Sequence, residues 1–504
     1  MNRLSTHPIY WLALLTAVVL LIGCRPATAI VLPTTAATAV AAISATSTET
    51  MLTPLPATRY LPPTLTPIQP TIQPTNKPTS QATLPPTFTP QPTFTPRPTL
   101  RPYATLAATP PTAVPSPMPP FPKNSAITNI VLVGNDVAEA QGGRTDSIIL
   151  VSINREAKTA TMLSIPRDLY VFIPGWRMTK INLALPHGHG YGVDYPGAGG
   201  GLLKDTIEYN LGIPVDYYAR IGFDGFKSAV DLVGGAEVVV TCTLRDWRLI
   251  SPELDQTVEE NWEMFTLEPG VHEMDGDLAL WYARSRRTTN DFERGRRQQQ
   301  VLRAILDRGL ERNLIGDIPD LWRIYRQAVE TDLTLPVVLE LAALAPAVRA
   351  NGIQHLALAG DAVRSWQEPG TGWSTQLLRP ETAVPILSRV MQPPALNRAT
   401  RPPITVEIVA ADEQLYRLMA ENLAWVGFVP RYAPADETPA RTRIEYYGPN
   451  FKGSSSDLLS WLFRQTTAVV NLLPNPNSDV AYRVYLGADA NPCLPSFTAP
   501  AGEE

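Results

Sequence analysis

Cysteine is nearly absent from this chain: Cys24, Cys242 and Cys493 are the only three in 504 residues. With no CxxC pair and no Cys/His cluster at zinc spacing, a zinc finger and a disulfide-dense scaffold are both excluded. Histidine is nearly as scarce, with five in all. Two of them form His187-Gly188-His189, which reads as a Gly-rich loop rather than a metal site. No basic excess exists either. The formal net charge is −5, so no global positive field points to nucleic acid. The GxxxxGK[ST] loop, the GxSxG elbow and HExxH are missing, and the enzyme classes built on them lose support.

Proline is what the chain has in abundance. It numbers 51, and 24 of these fall between residues 25 and 123. There the sequence is low-complexity Pro/Thr/Ala, with a near-repeat from Pro86 to Thr99. Such a segment cannot bury enough apolar surface to offset its ordering entropy. Proline biases it to extended conformations, so a disordered linker is expected, reaching between about 55 Å and about 300 Å. It suits a spacer, and its threonines suit O-glycosylation.

Ahead of the linker, Arg3 precedes an apolar run from Ile9 to Ile22, interrupted only by Thr16. The run is short for a membrane span and suits a signal segment. Its end, Leu21-Ile22-Gly23-Cys24, resembles the lipobox of bacterial lipoproteins, in which the cysteine is lipidated. An uncleaved signal anchor, or cleavage after Ala27-Thr28-Ala29, are the other readings. All three export the rest of the chain, and the first two also hold it on the extracytoplasmic face of the membrane, where it is expected. Cys24→Ala is expected to release the protein from membranes on fractionation. Full retention without lipid would favour a signal anchor.

Past residue 123 the composition is that of a globular protein. A strand at Ile127–Gly134 precedes a hairpin of Ser147–Asn154 and Thr159–Ile165. A helix follows at Leu202–Leu211, ended by Gly212. Then come a strand at Val215–Ile221, a helix at Gly222–Leu232, a strand at Ala236–Val240 and a long helix from Asp291 to about Arg308. Further helices are expected at Ile318–Val329 and Leu335–Val348. This alternation predicts an α/β domain, a mixed central sheet with flanking helices, over residues 124–392. A Pro-containing joint leads to a second, small α/β domain over 402–490 and a tail at 491–504. Cys242 and Cys493 fall in different units, and the sequence leaves open whether they pair.

Four stretches of the larger domain carry candidate chemistry. Gly134-Asn135-Asp136 ends the first strand, and Gly143-Arg144-Thr145-Asp146 follows after a loop. Asp136 and Asp146 are able to share one hard cation, since Mg²⁺ takes one or two carboxylates plus waters and phosphate oxygens. They are also ordinary turn residues. In Ser164-Ile-Pro-Arg167-Asp168, Pro166 stops the strand and sets Arg167 just beyond it. Thr179-Lys180-Ile-Asn182 holds a lone cation in a polar turn.

The fourth stretch is the densest. Six arginines, at 284, 286, 287, 294, 296 and 297, fall within fourteen residues. A helix starting at Asp291 as N-cap puts Asp291, Arg294 and Gln298 on one face with Val301, Leu302 and Ile305, while Arg296 projects to another. A solvated charge run would place them opposite that apolar stripe. The helix N-terminus attracts anions, and arginine contacts phosphate two-pronged. A phosphate-rich ligand held by several arginines fits this pattern; structural ion pairing is the alternative.

Taken in order, and joined by Val233-Gly-Gly235 and Arg297-Gln298-Gln299, these stretches resemble the motifs of the LytR–CpsA–Psr family over about residues 125–390. The resemblance implies a pocket for a polyprenyl chain, with its pyrophosphate at the mouth gripped by arginines and Mg²⁺. It puts Asp136 and Asp146 on the metal side. Arg167, Lys180, Arg284, Arg286, Arg294 and Gln298 would contact or orient phosphates, Arg144 and Arg297 would join them, and Asp291 would organise the group or act as base. The implied activity is transfer of a glycopolymer phosphate from a polyprenyl-pyrophosphate-linked donor to peptidoglycan. A lipid-pyrophosphate phosphatase and a non-enzymatic wall-binding lipoprotein are the alternatives. Residues 404–490 resemble the LytR C-terminal domain, notably in Thr442-Arg-Ile-Glu-Tyr446 and Val484-Tyr-Leu-Gly487-Ala-Asp489, although Ala410-Ala411-Asp412 replaces its usual Asn-Gly. Because every candidate site residue precedes Gln299, this second domain is expected to be dispensable for chemistry.

Overall fold

A computed structural model describes residues 113–135, 145–190, 193–326, 329–393, 404–452, 454–464 and 470–494. The signal segment with Cys24, most of the linker, Asp136 and Arg144 lie outside these residues.

Runs that are apolar on both faces make central strands. β1 (Ile127–Asn135) and β2 (Thr145–Asn154) are of this kind, and β3 (Thr159–Ser164) continues the meander. A small ribbon of β4 (Tyr170–Phe172) and β5 (Met178–Lys180) follows, then α1 (Ala184–Gly188) and α2 (Ala198–Leu211). β6 (Tyr217–Ile221) returns parallel to β1. α3 (Phe223–Val233) leads to β7 (Ala236–Val240), through Gly234 and Gly235 at φ 83° and 94°, a region that favours glycine. β8 (Leu244–Leu249) and β9 (Trp262–Leu267) form a hairpin, and β10 (Gly270–Met274) pairs with β7. The arginine-rich stretch forms α4 (Gly276–Arg284) and α5 (Asp291–Glu311). α6 (Ile318–Tyr325), β11 (Val329–Thr331), α7 (Leu335–Ala342), α8 (Ala345–Asn351) and β12 (Ile353–Ala357) come next.

The main sheet has the order β11-β6-β1-β2-β3-β12 and is mixed. One face packs Val131, Ile148, Leu150 and Leu163 against Leu203 and Ile207 of α2. The other packs Ile130, Ile153 and Ala160 against Leu306 of α5, Val338 and Leu341 of α7 and Val348 of α8. α5 is therefore enclosed, with the sheet on one side and the β7/β10 layer on the other, where Val301 and Ile305 pack.

The short edge strands β11 and β12 were not expected from the sequence. The helix expected at Ile318–Val329 ends at Tyr325, and the one expected at Leu335–Val348 breaks into α7 and α8. The segment assigned to the linker by composition is also corrected at its end. Met118 and Phe121 donate backbone hydrogen bonds to Tyr209 and Gly212, Lys123 pairs with Asp216 at 2.5 Å, and both apolar side chains pack on the core. Proline-rich composition speaks against self-contained structure, but not against an extended strap laid on a ready-made surface.

The C-terminal domain has its own core and a five-stranded sheet. Its strands are β15 (Thr405–Ala410), β16 (Val429–Pro434), β17 (Arg443–Tyr446), β18 (Val470–Leu472) and β19 (Tyr482–Tyr485), after β13 (Val363–Gln367) and β14 (Ser374–Leu378) of the first domain. Between them lie α9 (Pro380–Val390), α10 (Glu413–Trp425) and α11 (Ser456–Leu462). The separate unit read from the Pro-marked joint is in fact docked. α10 packs beside α5: Asn422 accepts from Arg296 at 2.8 Å, Glu421 from Gln300 at 2.8 Å, and Arg417 pairs with Glu237 of β7. Cys242 and Cys493 form a disulfide across the same contact.

Candidate active site

At the N-terminal end of α5, motifs that are far apart in sequence meet. Thr145 Oγ1 donates to the Asn182 carbonyl at 2.9 Å, and the Asn182 N–H donates to the Arg167 carbonyl at 3.2 Å. This stitches the starts of β2 and of the two loops together. Arg167 pairs with Asp146 through Nη1, and its Nε lies 3.4 Å from Asp168. Burial works against the Arg167 charge, yet Asp146 and then Asp168 outweigh it and raise the guanidinium pKa.

The cap of α5 differs from expectation. Asn290, not Asp291, is the N-cap; its side chain accepts from the N–H groups of Phe292 and Glu293. Asp291 is thereby freed for its neighbours, with Oδ1 lying 3.2 Å from Arg294 Nη1 and 3.6 Å from Arg286 Nη1. Arg294 is 7% exposed and donates to the Asp146 carbonyl at 3.2 Å. Burial lowers its pKa, Asp291 opposes, and the guanidiniums of Arg167 and Arg286 lower it further. Its Nε has no hydrogen-bond partner among the described residues. A buried, unsatisfied guanidinium N–H beside two further arginines suits an anionic ligand.

Asp146, Arg167, Asp291, Arg294 and Gln298 line one pocket, and Arg286 stands outside its lining beside Asp291. Gln298 is set by the Ser147 hydroxyl and the Ala283 carbonyl. α5 comes this close to β3 because residue 295 is glycine: a Cβ there would sit 3.1 Å from Ser164 Oγ. Beneath the same helix, further along the same sheet face, lies an apolar cleft among Leu132, Val151, Met162, Leu302, Leu306 and Leu341. The alternation of strands explains the pairing. On β3, Ala160, Met162 and Ser164 share a face, so one side of one strand lines both the apolar space and the polar pocket.

Other expected residues lie elsewhere. Lys180 pairs with Asp168 at 2.7 Å and sits 5.6 Å from the Trp373 ring, outside the pocket lining. Arg284 is exposed and stacks over Phe223 at 4.1 Å. Arg297 is buried and donates to the carbonyls of Tyr282 and Ser285, bracing α4 against α5. It is not among the residues that line the pocket. His187 stacks on Trp176, while His189 lies 2.9 Å from Glu330, so the pair shares no site. One organising residue escaped the sequence reading. Asp246 Oδ2 accepts from Ser285 Oγ and the Arg286 N–H at 2.8 Å, and from the Arg287 N–H at 3.1 Å. Burial acts to raise its pKa, but these hydrogen bonds hold it below the ordinary value. A single Asp in an exposed hairpin has no sequence pattern that would reveal this.

The profile described as the LytR_cpsA_psr family matches residues 106–379, more than half of the chain. The chain belongs to this family. Among its relatives is the polyisoprenyl-teichoic acid–peptidoglycan teichoic acid transferase TagT of Bacillus subtilis, 35% identical over 213 residues, 41% of this chain and 60% of the relative. TagU of Bacillus licheniformis, of the same printed description, is 30% identical over 239 residues, 47% of this chain and 69% of the relative. The match thus spans less than two thirds of the length of TagT. The crystal structure of B. subtilis TagV aligns at 26% identity with a TM-score of 0.43, covering 53% of this chain and 97% of that one. The LytR_cpsA_psr match contains both the arginine-lined pocket and the apolar space, and the C-terminal domain lies beyond it.

Proposed function

We propose that this LytR_cpsA_psr protein transfers a glycopolymer phosphate from a polyprenyl-pyrophosphate-linked donor to peptidoglycan. The observation that carries the reading is the pairing, under one helix, of an arginine-lined pocket with an apolar space. That is the chemistry of a ligand with a polyanionic head and a hydrocarbon tail. In the reaction an acceptor hydroxyl attacks the polymer-side phosphorus. The new P–O bond forms as the bond to the anhydride oxygen breaks, and polyprenyl monophosphate leaves. Arg167 and Arg294 neutralise phosphate oxygens, Gln298 and Arg286 orient them, and Asp291 takes the acceptor proton. The same reading places the protein on the extracytoplasmic face of the membrane, anchored through its N-terminus.

Mg²⁺ fits the donor chemistry of Asp146, a hard carboxylate in the pocket with one oxygen engaged by Arg167. Among the described residues no group of three or more His, Cys, Asp or Glu stands together. Phosphate oxygens and water would therefore complete the shell, as is usual for this ion. When bound, the ion supplies charge neutralisation on the pyrophosphate. Asp146→Ala is expected to abolish the Mg²⁺-dependent part of the rise in melting temperature that octaprenyl pyrophosphate produces. An undiminished rise in excess chelator would remove the ion.

The test of function is incubation of the full chain with a polyprenyl-pyrophosphate-linked polymer and peptidoglycan, with products read by mass spectrometry. A wall phosphodiester with polyprenyl monophosphate is expected. Free polymer without transfer would make the protein a hydrolase, and wall binding without turnover a binding protein.

A further inference from the structure

A hydrogen-bonded path runs from the C-terminal domain to the phosphate pocket. Glu421 of α10 accepts from Arg303 of α5, whose Nη1 lies 3.3 Å from His355 Nε2. His355 Nδ1 lies 2.8 Å from Gln299 Oε1, and Gln299 Nε2 donates to Ser164 Oγ at 2.8 Å. Ser164 Oγ donates to the Gly295 carbonyl at 3.4 Å, and both residues line the pocket. Chemistry sets the direction of every link. Arginine only donates, so His355 Nε2 accepts and its Nδ1–H donates. Gln299 must then present its oxygen to His355 and its amide to Ser164. That amide also donates to the Leu356 carbonyl at 3.0 Å. The carboxylate at the far end is 6% exposed, and Gln300 donates to its other oxygen at 2.8 Å.

We infer that Glu421 is a positioning residue of the transfer site, acting through Arg303, His355 and Gln299 to hold Ser164 and the first turns of α5. The second domain, expected from the sequence to be dispensable for chemistry, thereby contributes to it. The inference rests on the phosphate-transfer reading for its consequence in rate. Without Glu421 the Arg303 guanidinium loses its carboxylate in a buried place, and the orientation of each following donor is released. Arg303 also borders the apolar space, so the carboxylate holds its charge on the side away from that space. Arg417, on the same helix, pairs with Glu237 outside this path and reports docking alone.

The experiment compares the full chain with Glu421→Ala, Glu421→Gln and Arg417→Ala. It reads transfer kinetics and amide hydrogen exchange over residues 161–165 and 291–299. Glu421→Ala is expected to lower kcat about tenfold, with KM within about threefold, and to speed exchange in both segments about tenfold. Glu421→Gln keeps one acceptor without the charge and should fall between. Arg417→Ala should stay within about twofold on both readouts. Unchanged exchange in Glu421→Ala, or equal effects from Arg417→Ala, would overturn the inference. If Glu421→Ala does not fold, Glu421→Gln decides, and wild-type exchange in it overturns the inference. A wild type that transfers nothing ends the functional reading instead, while the exchange comparison still judges the path.

Discussion

Arg294→Ala is expected to lower the transfer rate by about 30- to 1000-fold, the effect of losing one charge-assisted transition-state contact worth about 2 to 4 kcal/mol. Its melting temperature should change little. Arg294 is buried among two other guanidiniums, its pKa is held down by burial, and its Nε lacks a partner among the described residues. Removing it relieves a desolvation cost in the free protein, whereas the phosphate-bound state loses its partner. Arg294→Lys restores the charge but not the two-pronged geometry and should recover part of the rate. Arg296 lies on a different face of the helix, as expected, but it is no neutral control. It is buried, bonded to Asn422 and stacked over Trp425 at 5.3 Å. Arg297→Ala is the better contrast, because losing its bonds to Tyr282 and Ser285 should destabilise the fold outright. The measurements are transfer rate and thermal melting for the three variants. An Arg294→Ala protein that melts like Arg297→Ala, with normal activity in its folded fraction, would show the cluster to be structural.

Mild acid should loosen the contact between the domains. His355 is buried against Trp425 at a ring separation of 4.4 Å, and burial, then Arg303, lowers its pKa from 6.5 to about 3. The sign follows from proton uptake. Below pH 6.5 the unfolded chain binds a proton that the folded state refuses, so stability falls as the pH drops from 6.5 toward 3. At pH 5 the loss is about 2 kcal/mol, enough to lower Tm by about 4 °C. Glu421 adds to this only at lower pH. Burial would raise its pKa, but Arg303 overrides that and takes it from 4.5 to about 2, so its contribution is full above 4.5 and fades below. Melting curves between pH 7 and pH 5 check this, and His355→Gln should flatten the dependence. A wild type as stable at pH 5 as at pH 7 would show that His355 takes up its proton in the folded state.

Much of the fold is written in local pattern. β1 and β2 are apolar on both faces, Gly212 ends α2, and the turns at Arg155–Lys158 and Gly234-Gly235 carry their own geometry. These features depend on near neighbours in the chain and are legible without a structure. The short strands β11 and β12 are not, because three to five residues form a strand only where a sheet edge already offers hydrogen bonds. The same divide runs through the site. Spacing marked Asp291, Arg294 and Gln298, since a polar trio on the apolar stripe of a helix conflicts with a solvated face, while Arg167 was marked by the family resemblance. Nothing in the spacing separates Arg294 from Arg297, three residues on. Only the packed structure does so, by turning one guanidinium toward the pocket and the other onto two carbonyls. The joint at Met391–Pro403 likewise marks a boundary, but a boundary in the chain carries no information about docking. Whether α10 covers α5, and whether Cys493 reaches Cys242, depends on which surfaces complement each other after both domains have folded. That is a property of assembled faces, each built from residues scattered along the chain.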